Sequence, residues 1–273
     1  MTNLIQSFCY EVEASNFKFV LKHIEDGFDI NAKDTSGRVP LMYSQDPEMT
    51  RLLLWEGADV NAKSGGDTTA LMISPNAEIT WILLEAGADV NARNPAGYTA
   101  LMLSKNAEMT SLLLGYGADV NSEDNLGRTT LMRLTQNAEM IRMLLEAGAY
   151  VNALDFYGWT ALTHFTQKSR MFFEVGTDVN ALEDTLGVTE IYHLLLDAGA
   201  IVDHEKTMRL LPFVRKLCLK RIFDICVGLQ SLELSALELL AIVDESNPSM
   251  TLHLTMKEKW DAIVAVKHFH DKK

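Results

Sequence analysis

Apolar residues along the first two hundred positions arrive in short, evenly spaced bursts separated by polar stretches. Ile79, Ile82, Leu83 and Ala86 sit at i, i+3, i+4 and i+7, which predicts a helix with one buried face. Gly87 follows directly and predicts the left-handed residue that ends it. A shorter apolar block precedes each such helix: VPLM at 39–42, TALM at 69–72 and 99–102, TTLM at 129–132 and TALT at 160–163. These blocks predict a short first helix, with Thr69 or Thr99 as its cap. Between helix pairs, Asp-Val-Asn and a following Asp/Asn-x-x-Gly predict a hairpin projection, with Gly37, Gly97, Gly127 and Gly158 at positive φ.

The blocks recur in one order. GFDIN at 27–31 is followed by GADVN at 57–61, 87–91 and 117–121, GAYVN at 148–152, GTDVN at 176–180 and GAIVD at 199–203. Their glycines are spaced by 30, 30, 30, 31, 28 and 23 residues. A third block, DPEM, NAEI or NAEM, stands before each leucine-rich run. Self-similarity at a fixed period signals a stack of repeats in which each unit covers its neighbour.

The pattern resembles the ankyrin repeat over about residues 3–203. The resemblance implies an all-α solenoid of helix-turn-helix-hairpin units. Two departures stand out. Most repeats have 30 residues where the family has 33, and the missing three are expected between the helices, giving tighter turns and altered curvature. The family's Thr-Pro-Leu-His becomes Thr-Ala-Leu-Met, so Met42, Met72, Met102 and Met132 replace its buried histidine and are expected in the core.

Residues 1–26 carry Leu4, Ile5, Phe8, Cys9, Phe17, Val20, Leu21 and Ile24 at helical spacing, and are expected to form a degenerate capping repeat. Only twelve residues separate Gly187 from Gly199, so the last repeat is expected to lack its first helix. The solenoid is thus placed at 1–203. Residues 204–273 are expected to form a small helical module from amphipathic stretches near 206–228, 233–244 and 255–268.

That module has two readings. It covers the hydrophobic end of the stack, as a solenoid requires. Alternatively, it binds a ubiquitin-ligase adaptor: Val214, Cys218 and Ile222 resemble the elongin-binding box, and Leu237 and Leu240 lie in a stretch resembling the start of an F-box-like helix. The corresponding functions are a substrate-recruiting adaptor for a cullin-type ligase and a plain capped binding or inhibitory scaffold, including a pathogen or viral effector.

Charge narrows the partner. Residues 1–200 carry 13 Lys and Arg against 27 Asp and Glu, and 201–273 carry 11 against 10, so −14 and +1 sum to −13. The acidic array disfavours nucleic acid. The acidic residues recur at capping and turn positions, which explains them without calcium. Cys9, Cys218 and Cys226 form neither a paired framework nor a metal spacing, so a reduced compartment is expected. No uninterrupted apolar run approaches membrane-spanning length, so a cytoplasmic monomer without a membrane partner is expected. His164 and His193 are isolated, His268-Phe-His270 lacks further ligands, and Gly65-Gly66 fits no phosphate loop. No enzyme, cofactor or metal site is expected.

The resemblance implies protein binding through hairpin tips and the concave face of the first helices. Tips carrying distinctive side chains are Tyr98, Arg128 and the cluster Phe156, Tyr157 and Trp159. On the helix face stand Tyr43, Arg133 and His164. The aromatic cluster has two readings: a binding hot spot, or a fold-back that fills the space left in a shortened repeat at 160–176.

Overall fold

A computed structural model describes residues 2–134, 137–174 and 188–201. They fall into two units, one of residues 1–130 with 146–148 and one of residues 131–145 with 149 onwards. The described secondary structure is helical, with one isolated bridge between Glu123 and Thr129.

The first unit opens with α1 (Thr2–Glu13) and α2 (Phe17–Glu25). Phe8, Cys9, Val12 and Val20 are buried, and Phe28 stacks on Phe8 at 4.1 Å. Leu4 and Leu21, expected in this core, are exposed. Burial pushes the free Cys9 thiol up to about 12, with the nearby Asp34 adding to the effect.

Three closely similar repeats follow, each a short turn and a nine-residue helix: Pro40–Tyr43 with α3 (Pro47–Trp55), Leu71–Ile73 with α4 (Ala77–Glu85), and Leu101–Leu103 with α5 (Ala107–Gly115). Asp46, Asn76 and Asn106 cap the three helices through their side chains. Thr69 and Thr99 accept bonds from Met72 and Met102 N–H, each at 3.4 Å. All four methionines of the second block are buried.

Ile79, Ile82 and Leu83 face inward as expected, but Ala86 is exposed. It is the C-cap, one residue beyond the last helical turn, and Gly87 at φ +85° then reverses the chain. The shortening also differs from expectation. Instead of a trimmed turn between two intact helices, the first helix itself contracts to one 3₁₀ turn. Immediately after it, Ser44, Ser74 and Ser104 are buried and bond Thr50, Thr80 and Thr110 at 2.8, 2.9 and 2.9 Å. Those threonines also donate to the cap-residue carbonyls of Asp46, Asn76 and Asn106. In the next repeat the same positions hold Leu134 and Ile141. Both hydroxyls are exchanged together, which leaves neither orphaned in the core.

Successive repeats are joined by an asparagine ladder. Asn31 donates to Gly57 O at 3.0 Å and accepts from Asp59 N–H at 2.7 Å. Asn61 does the same with Gly87 and Asp89, and Asn91 with Gly117 and Asp119. Each following aspartate caps the N–H of its own asparagine, as Asp59 does for Asn61 at 2.9 Å. The conserved-looking Asp-Val-Asn string is therefore an interlock: its carboxylate shapes a turn and its carboxamide grips the neighbour. Asn91→Ala removes two inter-repeat bonds and is expected to lower stability by about 1–3 kcal/mol. A urea melt checks this, and a change within experimental scatter would mean the ladder is decorative.

In the second unit, Asn137 caps α7 (Ala138–Glu146), and α8 (Ala161–Glu174) packs against α9 (Val188–Asp197). The short helix α6 (Thr130–Arg133) is the first helix of the repeat that α7 completes. The ladder continues here. Asn152 donates to Gly199 O at 2.9 Å and accepts from Ile201 N–H at 2.8 Å, the same two bonds made by the earlier asparagines. The rung after Asn152 is therefore at Gly199. The expected loss of a first helix before Gly199 falls on residues 176–187, which lie outside the described residues. The GTDVN string at 176–180 and the whole of 204–273 lie outside the described residues.

Candidate partner-binding surface

Among the described residues, each hairpin tip is built around one side chain. Asp34 Oδ1 accepts from the N–H groups of Ser36 and Arg38 at 2.8 and 2.9 Å. Asn94 accepts from Ala96 and Tyr98, Asp124 from Leu126 and Arg128, and Asp155 from Tyr157 and Trp159, all at 2.8–3.0 Å. Ser64 makes longer versions to Gly66 and Thr68, at 3.3 and 3.2 Å. Such side-chain turns replace the backbone partners that a tight projection cannot find. The tips also touch one another within the first unit. Gly65 N–H donates to Ser36 O at 2.9 Å, and a Cβ on Gly37 would lie 2.4 Å from Gly65 N, so only glycine fits.

An aspartate in this role has a second oxygen left over, and the residue that takes it varies. Tyr43 O–H donates to Asp34 Oδ2. Arg128 reaches Asp124 Oδ2 through Nε and Nη2, at 2.9 and 2.8 Å. His164 Nε2 lies 2.8 Å from Asp155 Oδ2. Tyr43 and His164 both stand nine residues after their aspartate, where the repeats with neutral Ser64 and Asn94 carry Ile73 and Leu103. Polar residues on this helix face are thus matched to turn aspartates. Tyr43 and His164, read from sequence as possible contacts, spend their polar atoms on this internal role.

Electrostatics follow from the same bonds. Burial alone would raise Asp124, but the bonds from Arg128 and the N–H groups of Arg128 and Leu126 outweigh it and hold the carboxyl below its ordinary value of 3.8. Asp34 is lowered likewise, against burial, by Tyr43, Ser36 and Arg38. A depressed folded value contributes stability above the unfolded value and loses it as pH falls through the folded one. The Asp124 contribution is therefore complete above about pH 4 and fades below it. Asp124→Asn is expected to flatten that part of the stability-versus-pH curve, which acid titration by circular dichroism would show. An unchanged slope would contradict the assignment.

The aromatic tip divides into display and support. Phe156 is 75% exposed and Tyr157 65% exposed. Trp159 is half-buried, with its ring centroid 5.3 Å from His164 in an edge arrangement and 6.3 Å from Tyr157. An open hollow of about 300 Å³ in the same unit is lined by Asn152, Leu154, Gly158, Thr160, Thr163 and Ile201.

The other candidates are distributed between the units. Tyr98 and Arg128 meet in the first, where the guanidinium donates to the Tyr98 hydroxyl at 3.3 Å. Arg133 is half-buried at the end of α6. Val214, Cys218, Ile222, Leu237 and Leu240 lie outside the described residues. Sequence reading of the tips missed a second set: Trp55, Trp81 and Tyr116 are exposed at the second helices and their ends. The available signal was an aromatic standing in repeat columns otherwise filled by Arg51 and Ser111, or by Glu85 and Gly115.

Among the described residues, no helix is long and apolar enough to cross a membrane, and no three His, Cys, Asp or Glu side chains cluster to hold a metal ion. The family model described as ankyrin repeats (3 copies) matches residues 40–124, 74–155 and 98–172. No curated protein matches the chain. Together with the capped hairpins and the asparagine ladder, this match identifies residues 40–172 as ankyrin repeats.

Proposed function

We propose that this chain is a non-enzymatic protein-binding module whose partner contacts centre on the hairpin tip at 155–159, with Phe156 and Tyr157 as anchors. Ankyrin repeats are protein–protein interaction modules, and the exposure of these two rings carries the choice of site. Large apolar rings held in water are disfavoured unless something covers them. The buried Asp155 supports both flanking N–H groups, so little ordering entropy remains to be lost on association. Trp159 and His164 act as the platform beneath, Tyr98 and Arg128 form a separate polar contact, and a cytoplasmic setting suits the free, buried Cys9.

The test is affinity capture from a cell lysate with the full chain and, in parallel, a Phe156→Ala/Tyr157→Ala chain. Proteins retained only by the unmodified chain support the reading. Identical lists for the two chains would overturn the choice of site.

An adaptor role is supported by the spacing of Val214, Cys218 and Ile222 and by the Leu237 and Leu240 helix pattern, both from sequence alone. It calls for an elongin or an F-box-binding adaptor in the captured set, lost on Cys218→Asp. Partners without such an adaptor favour the plain capped scaffold.

A further inference from the structure

A second aromatic surface lies on the first unit, on the side formed by the second helices. Trp55 is 87% exposed at the end of α3, the most exposed large apolar side chain among the described residues. Trp81 on α4 and Tyr116 after α5 are partly exposed as well. Around them the charged residues of the three helices and their caps are Glu48, Glu56, Glu78, Glu85 and Glu108, all exposed, with the half-buried cap Asp46, against Arg51 alone.

Arg51 shows what this surface does with a cation. Its guanidinium lies over the Trp81 ring, 5.5 Å from the centroid, while Nη2 is 3.5 Å from Glu78 and Nε is 3.4 Å from Glu48. Aromatic face and carboxylates hold it together. Arg51 and Trp81 occupy the same position in adjacent repeats. Trp55 and Glu85 also share one position in those two repeats, so the translation that relates Arg51 to Trp81 relates this ring to this carboxylate, but neither residue of that pair is a cation. The next residue in the column is Gly115, where an added Cβ would meet nothing within 4 Å, so the column opens there. Tyr116 donates its hydroxyl to Glu85 and steadies that carboxylate beside the opening.

We propose that the α3–α5 face binds an extended cationic segment of a partner protein, with one lysine or arginine received between Trp55 and Glu85 as Arg51 is received by Trp81 and Glu78. The occupant is fixed by charge complementarity: five carboxylates repel an acidic segment, and the exposed indole offers a cation its π face. The surface differs from the hairpin tip in position and in chemistry, so one module engages two different features of its partners.

The experiment follows fluorescence anisotropy of a labelled peptide of alternating lysine and glycine titrated with the full chain at low ionic strength, beside a glutamate–glycine peptide of equal length. The lysine peptide is expected to bind and the glutamate peptide not to. Trp55→Ala keeps every charge and is expected to weaken binding about fivefold. Glu85→Gln is expected to weaken it further than Glu13→Gln, which removes the same charge from an exposed position on α1. Helical circular dichroism of each variant confirms folding. Unchanged binding by Trp55→Ala, or equal losses from Glu85→Gln and Glu13→Gln, would overturn the site and leave only diffuse attraction to an acidic protein.

Discussion

Replacing Asp155 by alanine is expected to destabilise the protein by about 3–5 kcal/mol, because three hydrogen-bond donors lose their acceptor at roughly 1–3 kcal/mol each. Its side chain is fully buried, and it serves Tyr157 N–H at 2.9 Å, Trp159 N–H at 2.8 Å and His164 Nε2 at 2.8 Å. Alanine orphans all three in a place that water reaches poorly. The repeats suggest the repair. Where Asn94 holds the turn, the position nine residues on is Leu103, and both N–H bonds survive at 3.0 and 2.9 Å. The double variant Asp155→Asn/His164→Leu should therefore recover more than half of the loss, while Asp155→Asn alone leaves His164 short of its acceptor. Urea melts of the set decide. A double variant no better than Asp155→Ala would mean that the pairing rule between turn residue and helix-face residue is a coincidence of five repeats.

Much of this fold was legible because the repeat period forces it. Gly87, Gly97 and Gly127 were read as left-handed residues from their place after helices and in turns, and they adopt φ of +85°, +82° and +74°. The buried methionines followed from their fixed place in the apolar block. What spacing could not reveal was which glycine starts a rung. The bonds of Asn152 run to Gly199 and Ile201, 47 and 49 residues on, a reach to which the thirty-residue spacing does not point. A rung is defined by a carboxamide reaching a carbonyl one layer away, and a string of letters carries the donor without its partner.

The surface was legible in part. Three aromatics in four residues singled out the tip at 156–159, but a sequence cannot say that Trp159 turns to His164 while its neighbours face solvent. Tyr43 and His164 looked like available polar groups because their aspartate partners are nine residues away, beyond any local pattern of helix or strand. Trp55 and Trp81 stand in leucine-rich runs, which by themselves suggest burial all round. Apolar residues on that side are informative only once the repeat columns are aligned and their usual occupants are seen to be polar.

Phe156→Ala/Tyr157→Ala has the second large expected effect, and it separates binding from folding. Both rings are mostly in water, so their removal costs the folded state little, within about 0.5 kcal/mol. Central aromatic anchors of an interface each cost about 2 kcal/mol or more on truncation. The affinity of a captured partner should then fall by at least about a hundredfold while the melting midpoint stays in place. The contrast with Trp159→Ala sharpens this, since that half-buried ring packs on His164 and its loss should lower the midpoint.

The most direct measurement is isothermal titration of that partner into the unmodified chain and into Phe156→Ala/Tyr157→Ala, with thermal melts of both. The account predicts a large loss of affinity at constant stability. Equal affinities at constant stability would contradict it and move the binding surface away from the tip.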